Sequence, residues 1–413
     1  MNLSFVDIIF FIYTFFSVYL LSLFLSLYLP NKDKFFGYPK GTPEPISIVM
    51  PCYNESETIG EAIESLLKID YPKNMLEIII VDDKSTDNSV EVINRYVKKY
   101  KNVRLIVHEK NTGCAAGPTN TGIRNAKYEY IAVVDADSMP DRDSLKKMIG
   151  FLQEDKSVGV VTCAILVKKP WNLWRRIQAY EYFIIAFTRK LLEFVDSIWV
   201  TPGPLALYRK KALIAAGLFD TKNLTQDIEM TWNLLSKKYK VKMCLDARVY
   251  SVAPAKFGGW WKQRVRWNLG GIQTIIKYKG FTFKKGTLGL IVIPIFSISM
   301  FLGVFGLALL AYLISRRILL TYLATKYSLY ASTAIIATSS FSLTPSILNF
   351  FGIVAFLLGL WFTLYGLGIM KANELLGKEN IFNIALYLIV YLAIYPFTFV
   401  AAVYQMLIGK YSW

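Results

Sequence analysis

The chain has 413 residues, a net charge of +17, one histidine and four cysteines, and 54% of its residues are hydrophobic. One histidine nearly excludes histidine-rich zinc chemistry and a Ser-His-Asp triad, and the scattered cysteines lack metal-ligand spacing and are expected to be free thiols. The positive charge is typical of proteins that meet nucleic acid or an anionic surface, but no nucleic-acid-binding module is recognisable.

Uncharged apolar stretches lie at the start of the chain and again after residue 285. They cover residues 8–29, 286–315, 347–370 and 381–409. Because a bilayer core about 30 Å thick needs roughly 20 apolar helical residues, each stretch predicts one membrane-spanning helix. Residues 318–343 are a poorer candidate and would make a fifth. The first stretch lacks a basic start and a small-residue cleavage site, so it predicts a retained anchor and not a signal peptide.

Between the first two stretches, short apolar runs alternate with amphipathic segments. The runs predict strands at residues 46–50, 77–81, 103–107 and 130–134. A helix is predicted over 88–100, and another follows Asn54, which is expected to cap it. Strands that alternate with helices indicate βαβ units and a parallel sheet, whose ligands bind beyond the carboxyl ends of the strands. The polar residues expected at that edge are Asn54, Asp82, Asp83, Asp135 and Asp137.

Asp135 and Asp137 follow the apolar run at 130–134, so two carboxylates are expected to meet at the end of a buried strand. Their repulsion is costly unless a cation neutralises it. Hard oxygen ligands that leave room for phosphate oxygens suit Mg²⁺ or Mn²⁺. Asp82 and Asp83 also follow a strand, where an aspartate taken alone is more often a cap or turn residue than a catalytic one.

Five motifs occur in a fixed order between the apolar stretches. They are Pro51-Cys52-Tyr53-Asn54-Glu55, Val81-Asp82-Asp83, Asp135-Ala136-Asp137, Thr225-Gln226-Asp227 and Gln263-Arg264-Val265-Arg266-Trp267. Together with the flanking spans, this set resembles the membrane-embedded family 2 glycosyltransferases, which include the cellulose, hyaluronan and chitin synthases. The resemblance covers about residues 47–267.

The resemblance implies a GT-A-type α/β domain, with a mixed and mostly parallel sheet, joined to a transmembrane helical region. It implies a processive, inverting and metal-dependent hexosyltransferase that extends a β-linked polysaccharide from a UDP- or GDP-linked sugar. We expect an N-terminal membrane helix in residues 1–30, the catalytic domain in 31–253, an interfacial helix with the Gln-x-x-Arg-Trp segment in 254–285, and about three membrane helices in 286–413.

The resemblance also implies roles for individual residues. Asp227 matches the catalytic base, and Asp135 and Asp137 match the ligands of Mg²⁺ or Mn²⁺. Gly203, Pro204 and Trp267 match the acceptor side. The residues that match nucleotide or donor contacts are Pro51, Tyr53, Glu55, Asp82, Asp83, Asp135, Gln263, Arg266 and Trp267.

Two positions depart from the family pattern. Gln226 stands where the family often has glutamate, and Cys114 stands where many processive members have lysine. The cysteine removes one cationic contact to the donor diphosphate, so the donor cannot be inferred from well-known synthases.

Two other functions remain open at this stage. One is a single transfer to a polyprenyl-phosphate or glycolipid acceptor, for example from GDP-mannose. The other is a transporter or channel with a regulatory domain, although its spans would be expected to carry ionisable residues and these carry none. Lysine and arginine collect beside the apolar stretches, which predicts an integral protein of the cell membrane with a cytoplasmic catalytic domain.

Overall fold

The computed structural model describes residues 5–284, 286–330, 347–377 and 381–409. Its strands are β1 (Ile46–Cys52), β2 (Leu76–Asp82), β3 (Val103–Val107), β4 (Tyr130–Val133), β5 (Ser138–Pro140), β6 (Val158–Val167), β7 (Ala206–Arg209) and β8 (Lys240–Ser251). Its helices are α1 (Phe5–Tyr28), α2 (Ile59–Leu67), α3 (Ser89–Lys99), α4 (Ala116–Asn125), α5 (Ser144–Glu154), α6 (Leu173–Glu193), α7 (Lys210–Ala216), α8 (Gln226–Ser236), α9 (Phe257–Tyr278), α10 (Ile293–Tyr330), α11 (Ile347–Ile369), α12 (Ala372–Leu376), α13 (Ile381–Ala393) and α14 (Tyr395–Leu407).

The eight strands form one sheet in the order β3-β2-β1-β4-β7-β6-β8-β5. Strand β1 pairs in parallel with both β2 and β4, and β2 pairs in parallel with β3. Strand β7 runs antiparallel to β4 and β6, and β8 is parallel to β6. Every residue of β1 and β2 is buried, as expected of strands that helices cover on both faces. The predicted mixed, mostly parallel sheet is confirmed.

Local signals placed strands β1 to β4 and helix α3 within two residues of their observed bounds, and one predicted cap was wrong. Helix α2 begins at Ile59, five residues beyond Asn54, and its N-cap is Thr58. Asn54 has a left-handed backbone with φ of 54°. Its side-chain carbonyl accepts a hydrogen bond from the backbone N–H of Thr86 at 2.8 Å. The residue therefore ties two loops together instead of capping the helix.

Three helical stretches among the described residues are long and apolar enough to cross a membrane, and Ile353–Ile369 is a shorter apolar one. They are Phe11–Lys34, Leu288–Tyr330 and Ile381–Leu407. Helix α10 has 38 residues, which is about 57 Å at the rise of an α-helix and longer than a bilayer core. The span predicted to end at Ser315 thus continues as helix, because no glycine or proline interrupts it between Ser315 and Tyr330. Residues 331–343 of the poorer candidate lie outside the described residues.

The last predicted span, at 381–409, is an interrupted helix. Helix α13 ends at Ala393 and α14 begins at Tyr395, with proline in its first turn. Proline lacks the N–H that would continue the ladder of the preceding helix, which explains the break.

Helices α6 and α9 join the sheet domain to the membrane helices. Residues 171–194 and 257–278 mix basic, aromatic and apolar side chains, a pattern that predicts helices at a membrane interface. Helix α6 covers the sheet at β6 and also contacts α1, α11 and α13. Helix α9 packs against α8 and α14. The amide of Asn268 in α9 donates to the hydroxyl of Thr398 in α14 at 2.9 Å. The four cysteines are free and buried.

Candidate active site

A cavity of about 430 Å³ lies where the sheet edge meets α6, α8 and α9. Eight of the residues assigned to the site from sequence line it, although they come from four separate segments. They are Asp135, Asp137, Gly203, Pro204, Asp227, Gln263, Arg266 and Trp267. The structure therefore brings the aspartate pair, Gly203 and Pro204, Asp227 and the Gln-x-x-Arg-Trp segment to one place.

The aspartate pair lies at the end of β4, in the turn before β5. Burial, followed by the charges of Asp137 and Asp227, raises the pKa of Asp135 to about 8. Burial also raises the pKa of Asp137, whose carboxylate accepts a hydrogen bond from the hydroxyl of Ser138 at 2.9 Å. Two carboxylates that resist ionisation in this way form an environment that favours a bound cation.

Asp227 lies in the first turn of α8, where the helix holds its carboxylate at the cavity wall. Burial raises its pKa, while Arg266 and Arg189 act in the opposite direction.

The start of helix α8 packs closely against α9. A Cβ atom added to Gly270 would lie 2.0 Å from the hydroxyl oxygen of Thr225. A glycine at this point of α9 thus allows the two helices to approach closely.

Arg264, at the second position of the Gln-x-x-Arg-Trp segment, is fully buried and holds its neighbours in place. Its guanidinium donates to the side-chain carbonyl of Gln263 at 3.1 Å and lies 4.0 Å from the centre of the Trp267 ring. The same guanidinium forms an ion pair with Glu181 of α6. The pKa of Glu181 is raised by burial in spite of this charge.

The Arg264 ion pair also reaches the membrane helices. Arg264 donates to the hydroxyl of Tyr391 in α13 at 3.4 Å. The indole N–H of Trp260 donates to the same hydroxyl at 3.3 Å. Two of the side chains assigned to donor binding, Gln263 and Trp267, are therefore connected to the last membrane helix through one arginine.

The remaining residues assigned to the nucleotide lie outside the lining of this cavity; they are Pro51, Tyr53, Glu55, Asp82 and Asp83. The carboxylate of Asp83 accepts hydrogen bonds from the N–H and hydroxyl of Thr112, at 2.9 and 2.8 Å, and is 2.7 Å from Nδ1 of His108. Asp82 accepts from the N–H of Ser85 at 3.0 Å. Both carboxylates are buried and hold loops that follow the strands.

The first motif places its residues beside those loops. Pro51 is buried at the end of β1, and the Tyr53 side chain is exposed. The carboxylate of Glu55 accepts a hydrogen bond from the hydroxyl of Thr58 at 2.6 Å, and burial raises the pKa of Glu55. The nucleotide roles of these residues and of Asp82 and Asp83 remain predictions.

The sequence did not single out Arg189, Tyr182, Glu181 or Arg264 as site residues, yet all lie in or beside the cavity, and all but the partly buried Tyr182 are buried. Arg189 and Lys190 looked like basic residues near the membrane surface. Both are instead buried, at 6% and 2% exposure. Two adjacent cations within an apolar helical segment were the available signal, because charged residues are rarely fully buried without a purpose.

Among the described residues, no group of three or more His, Cys, Asp or Glu side chains forms a cluster that could bind a metal ion. The protein side of a cation site here would thus be the pair Asp135 and Asp137. A pair leaves coordination positions for substrate oxygens and water, which is the usual arrangement for Mg²⁺.

Comparison with known proteins identifies the family of this chain. The family described as Glycosyl transferase family 2 matches residues 47–217. The chain is similar to a poly-beta-1,6-N-acetyl-D-glucosamine synthase of Staphylococcus epidermidis, with 33% identity over 73% of this chain and 72% of that one. It is 32% identical to the enzyme of the same description from Staphylococcus aureus strain COL, over 57% of this chain and 56% of that one.

The fold is also found among solved structures, for example in a mannosyltransferase. It is the mannosyltransferase PcManGT from Pyrobaculum calidifontis, in complex with GDP-Man and Mn²⁺. The TM-score is 0.54 at 20% identity, over 89% of this chain and 99% of that chain. The likeness extends over nearly the whole of the mannosyltransferase and supports the GT-A-type architecture.

Proposed function

Because this chain belongs to glycosyl transferase family 2 and carries helices able to span a membrane, we propose that it extends a β-linked polymer of N-acetylglucosamine, using nucleotide-linked N-acetylglucosamine as donor. It is an integral membrane polysaccharide synthase with its catalytic domain on the cytoplasmic side. Membership of an enzyme family sets aside the transporter alternative. The sugar is inferred from the two staphylococcal relatives, which are described as synthases of that polymer.

One observation supports the reaction most directly. A single cavity holds two carboxylates at one wall, a third carboxylate at the start of a helix, and an arginine and a tryptophan from α9. Transfer of a sugar from a nucleoside diphosphate needs charge stabilisation at the leaving phosphate and a base at the attacking hydroxyl. The cavity offers groups for both.

Each side chain has a defined task in the proposed reaction. Asp227 takes the proton from the acceptor hydroxyl as its oxygen attacks the anomeric carbon, and the bond to the diphosphate breaks on the opposite face. The configuration at that carbon is therefore inverted. Arg266 offers a planar fork of donors to the departing phosphate oxygens. Trp267 offers a ring face to a sugar.

We also propose dependence on a divalent cation. The buried pair Asp135 and Asp137 has raised pKa values, because burial and, at Asp135, the neighbouring negative charge disfavour ionisation, and a bound cation would offset both effects. These two residues would hold Mg²⁺ or Mn²⁺, and the cation would stabilise charge on the diphosphate. Oxygen ligands of this kind fit both ions.

Product length and donor choice test the proposal. Purified full-length enzyme is incubated with Mn²⁺ and either UDP-N-acetylglucosamine, UDP-glucose or GDP-mannose, and the products are sized after digestion with glycosidases of known linkage. A long N-acetylglucosamine polymer is the expected result. A single sugar added to a lipid, or activity only with GDP-mannose, would favour the polyprenyl or glycolipid alternative.

A further inference from the structure

The same cavity contains a charged group that the proposed reaction does not use. Arg189 lies in the last turns of α6, is 6% exposed and lines the cavity together with Asp227. No hydrogen bond or ion pair is found for its guanidinium in the part of the chain that the structure describes, and its Nε atom is buried without an acceptor. A buried charge without a partner is costly, typically by several kcal/mol.

The adjacent residue shows that the fold is able to pair a cation here. The ammonium of Lys190 donates to the carboxylate of Glu193 at 2.8 Å and to the carbonyl of Met243 at 2.9 Å. It points away from the cavity toward β8, whereas Arg189 faces the cavity. The helix thus satisfies one of two consecutive cations and leaves the other for a partner that the protein does not supply.

The charges that act on Arg189 indicate which cavity residue it interacts with. Burial lowers the pKa of its guanidinium to about 10, so it stays charged at neutral pH, and Asp227 is the carboxylate that counteracts the shift. Arg266 acts on Asp227 as well and also on Asp135 of the proposed metal pair. Arg266 is therefore shared by the proposed metal pair and the proposed base, whereas the carboxylate that acts on Arg189 is that of the base.

The lining of the cavity fits a sugar. Leu192, Trp199 and Phe296 line the cavity with apolar and aromatic surface, and Asn268 and Tyr395 add polar groups. The carboxylate of Glu181 is already paired with Arg264. A guanidinium in such a site is satisfied by oxygen atoms of a ligand, such as the carbonyl of an acetamido group or sugar hydroxyls.

We propose that Arg189 is an acceptor-binding residue, whose guanidinium donates hydrogen bonds to oxygen atoms of the terminal sugar of the growing chain beside Asp227. The inference rests on the proposed function, because it takes the ligand beside Asp227 to be a glycan. It adds a contact to the acceptor side that neither Gly203, Pro204 nor Trp267 provides.

The test compares the full-length variants R189M and R189K with R175M in the same helix. Arg175 donates to the carbonyl of Ala253 at 3.1 Å and does not line the cavity, so it is the matched control. Three quantities are measured: the KM for a short N-acetylglucosamine oligosaccharide primer, the Kd for the donor with Mn²⁺, and the thermal unfolding midpoint. A hydrogen bond from a charged group is lost in R189M, so the primer KM should rise by about ten- to hundredfold.

The donor Kd of R189M should stay within about twofold of wild type, since no donor contact is removed. The unfolding midpoint should stay equal or rise, because an unpaired buried charge is replaced by an apolar side chain. R189K should recover part of the primer KM, and R175M should leave it unchanged.

Three results would overturn the proposal. A matching loss of donor affinity would place Arg189 on the diphosphate. A fall in kcat with an unchanged primer KM would mean that it acts through Asp227. A lower unfolding midpoint would show a structural role. If the wild-type enzyme instead prefers another sugar, the proposed polymer is wrong, and the same comparison of primer and donor is made with the sugar that it accepts.

Discussion

Gly203 approaches Asp135 so closely that a Cβ atom added to the glycine would lie 2.8 Å from both carboxylate oxygens of the aspartate. Gly203→Ala should therefore displace the proposed metal ligand and lower turnover by about 100-fold, the typical cost of a misplacement near 1 Å. Gly258→Ala is the control, because nothing lies within 4 Å of its added Cβ. Equal turnover of the two variants in a nucleotide-release assay would contradict this relationship.

Asp227→Asn should abolish transfer and leave donor binding nearly intact. The amide keeps the shape of the side chain at the start of α8 but cannot accept the proton, and loss of a general base costs about 10²–10⁴-fold. Donor affinity by calorimetry and initial rates with a primer separate the two effects. Asp220→Asn, outside the cavity lining, should retain activity. Near-normal turnover of Asp227→Asn would remove this residue from the base role.

Asp137→Ala should eliminate the gain in nucleotide affinity that Mn²⁺ provides, because one of the two carboxylates of the proposed site disappears. The measurement is calorimetric titration of the nucleotide with and without Mn²⁺. Asp143→Ala provides a control, since that half-exposed aspartate pairs with Lys147 away from the cavity. If Asp137→Ala keeps the full metal-dependent gain, the pair is only a turn at the end of a strand.

Binding of Mn²⁺ should become tighter as the pH rises toward 8. The pKa of Asp135 is about 8 in the folded chain without metal, against about 3.9 for an unperturbed aspartate. A cation must displace that proton, so affinity should rise by up to about tenfold per pH unit below pH 8. Affinity that does not change between pH 6 and pH 8 would show that the pair is already ionised.

The same raised pKa of Asp135 also makes the stability of the metal-free protein depend on pH. Higher pH favours binding of Mn²⁺ but lowers this stability. The folded state holds its extra proton between about pH 4 and pH 8. The stabilisation from this carboxyl is fully present below pH 4 and is lost as the pH rises through 8. Metal-free protein should thus unfold more easily at pH 8 than at pH 6, and Mn²⁺ should reverse the difference in a thermal scan.

Breaking the Arg264–Glu181 pair should affect stability and activity in different ways. Glu181→Gln leaves a buried guanidinium without its counter-charge, which should cost about 3–5 kcal/mol of unfolding free energy. The double variant R264M/E181M should recover most of that loss. Activity should stay low in the double variant, because Gln263 and Trp267 no longer have the guanidinium that holds them. A double variant as active as wild type would show that Arg264 does not position them.

The sequence was most informative where a local pattern decides the outcome. Apolar runs bounded by turn residues located β1 to β4, and a basic, aromatic helical pattern located α6 and α9. The motifs also named Asp135 and Asp137, which follow a strand, and Asp227, which lies in the first turn of a helix, and all three line the cavity. These are short-range relationships that spacing along the chain preserves.

Long-range pairing was beyond the sequence. Nothing in the spacing of Glu181 and Arg264 indicates that they meet, since they lie 83 positions apart on two helices. Asn54 illustrates the converse. Its type fits a helix cap, but the partner that it finds is Thr86, on a loop after the next strand. The burial of Arg189 likewise depends on where α6 packs.

The contact between α9 and the last two helices has a practical consequence. Helix α9 carries the Gln-x-x-Arg-Trp segment, yet it is fastened to α14 by Asn268 and Thr398 and to α13 by Arg264 and Tyr391. Cutting the chain after the sheet domain to obtain a water-soluble fragment would remove the support of the segment. Crystallisation or inhibitor screening of this enzyme should therefore use the entire polypeptide, in a detergent or lipid disc that keeps the C-terminal helices in place.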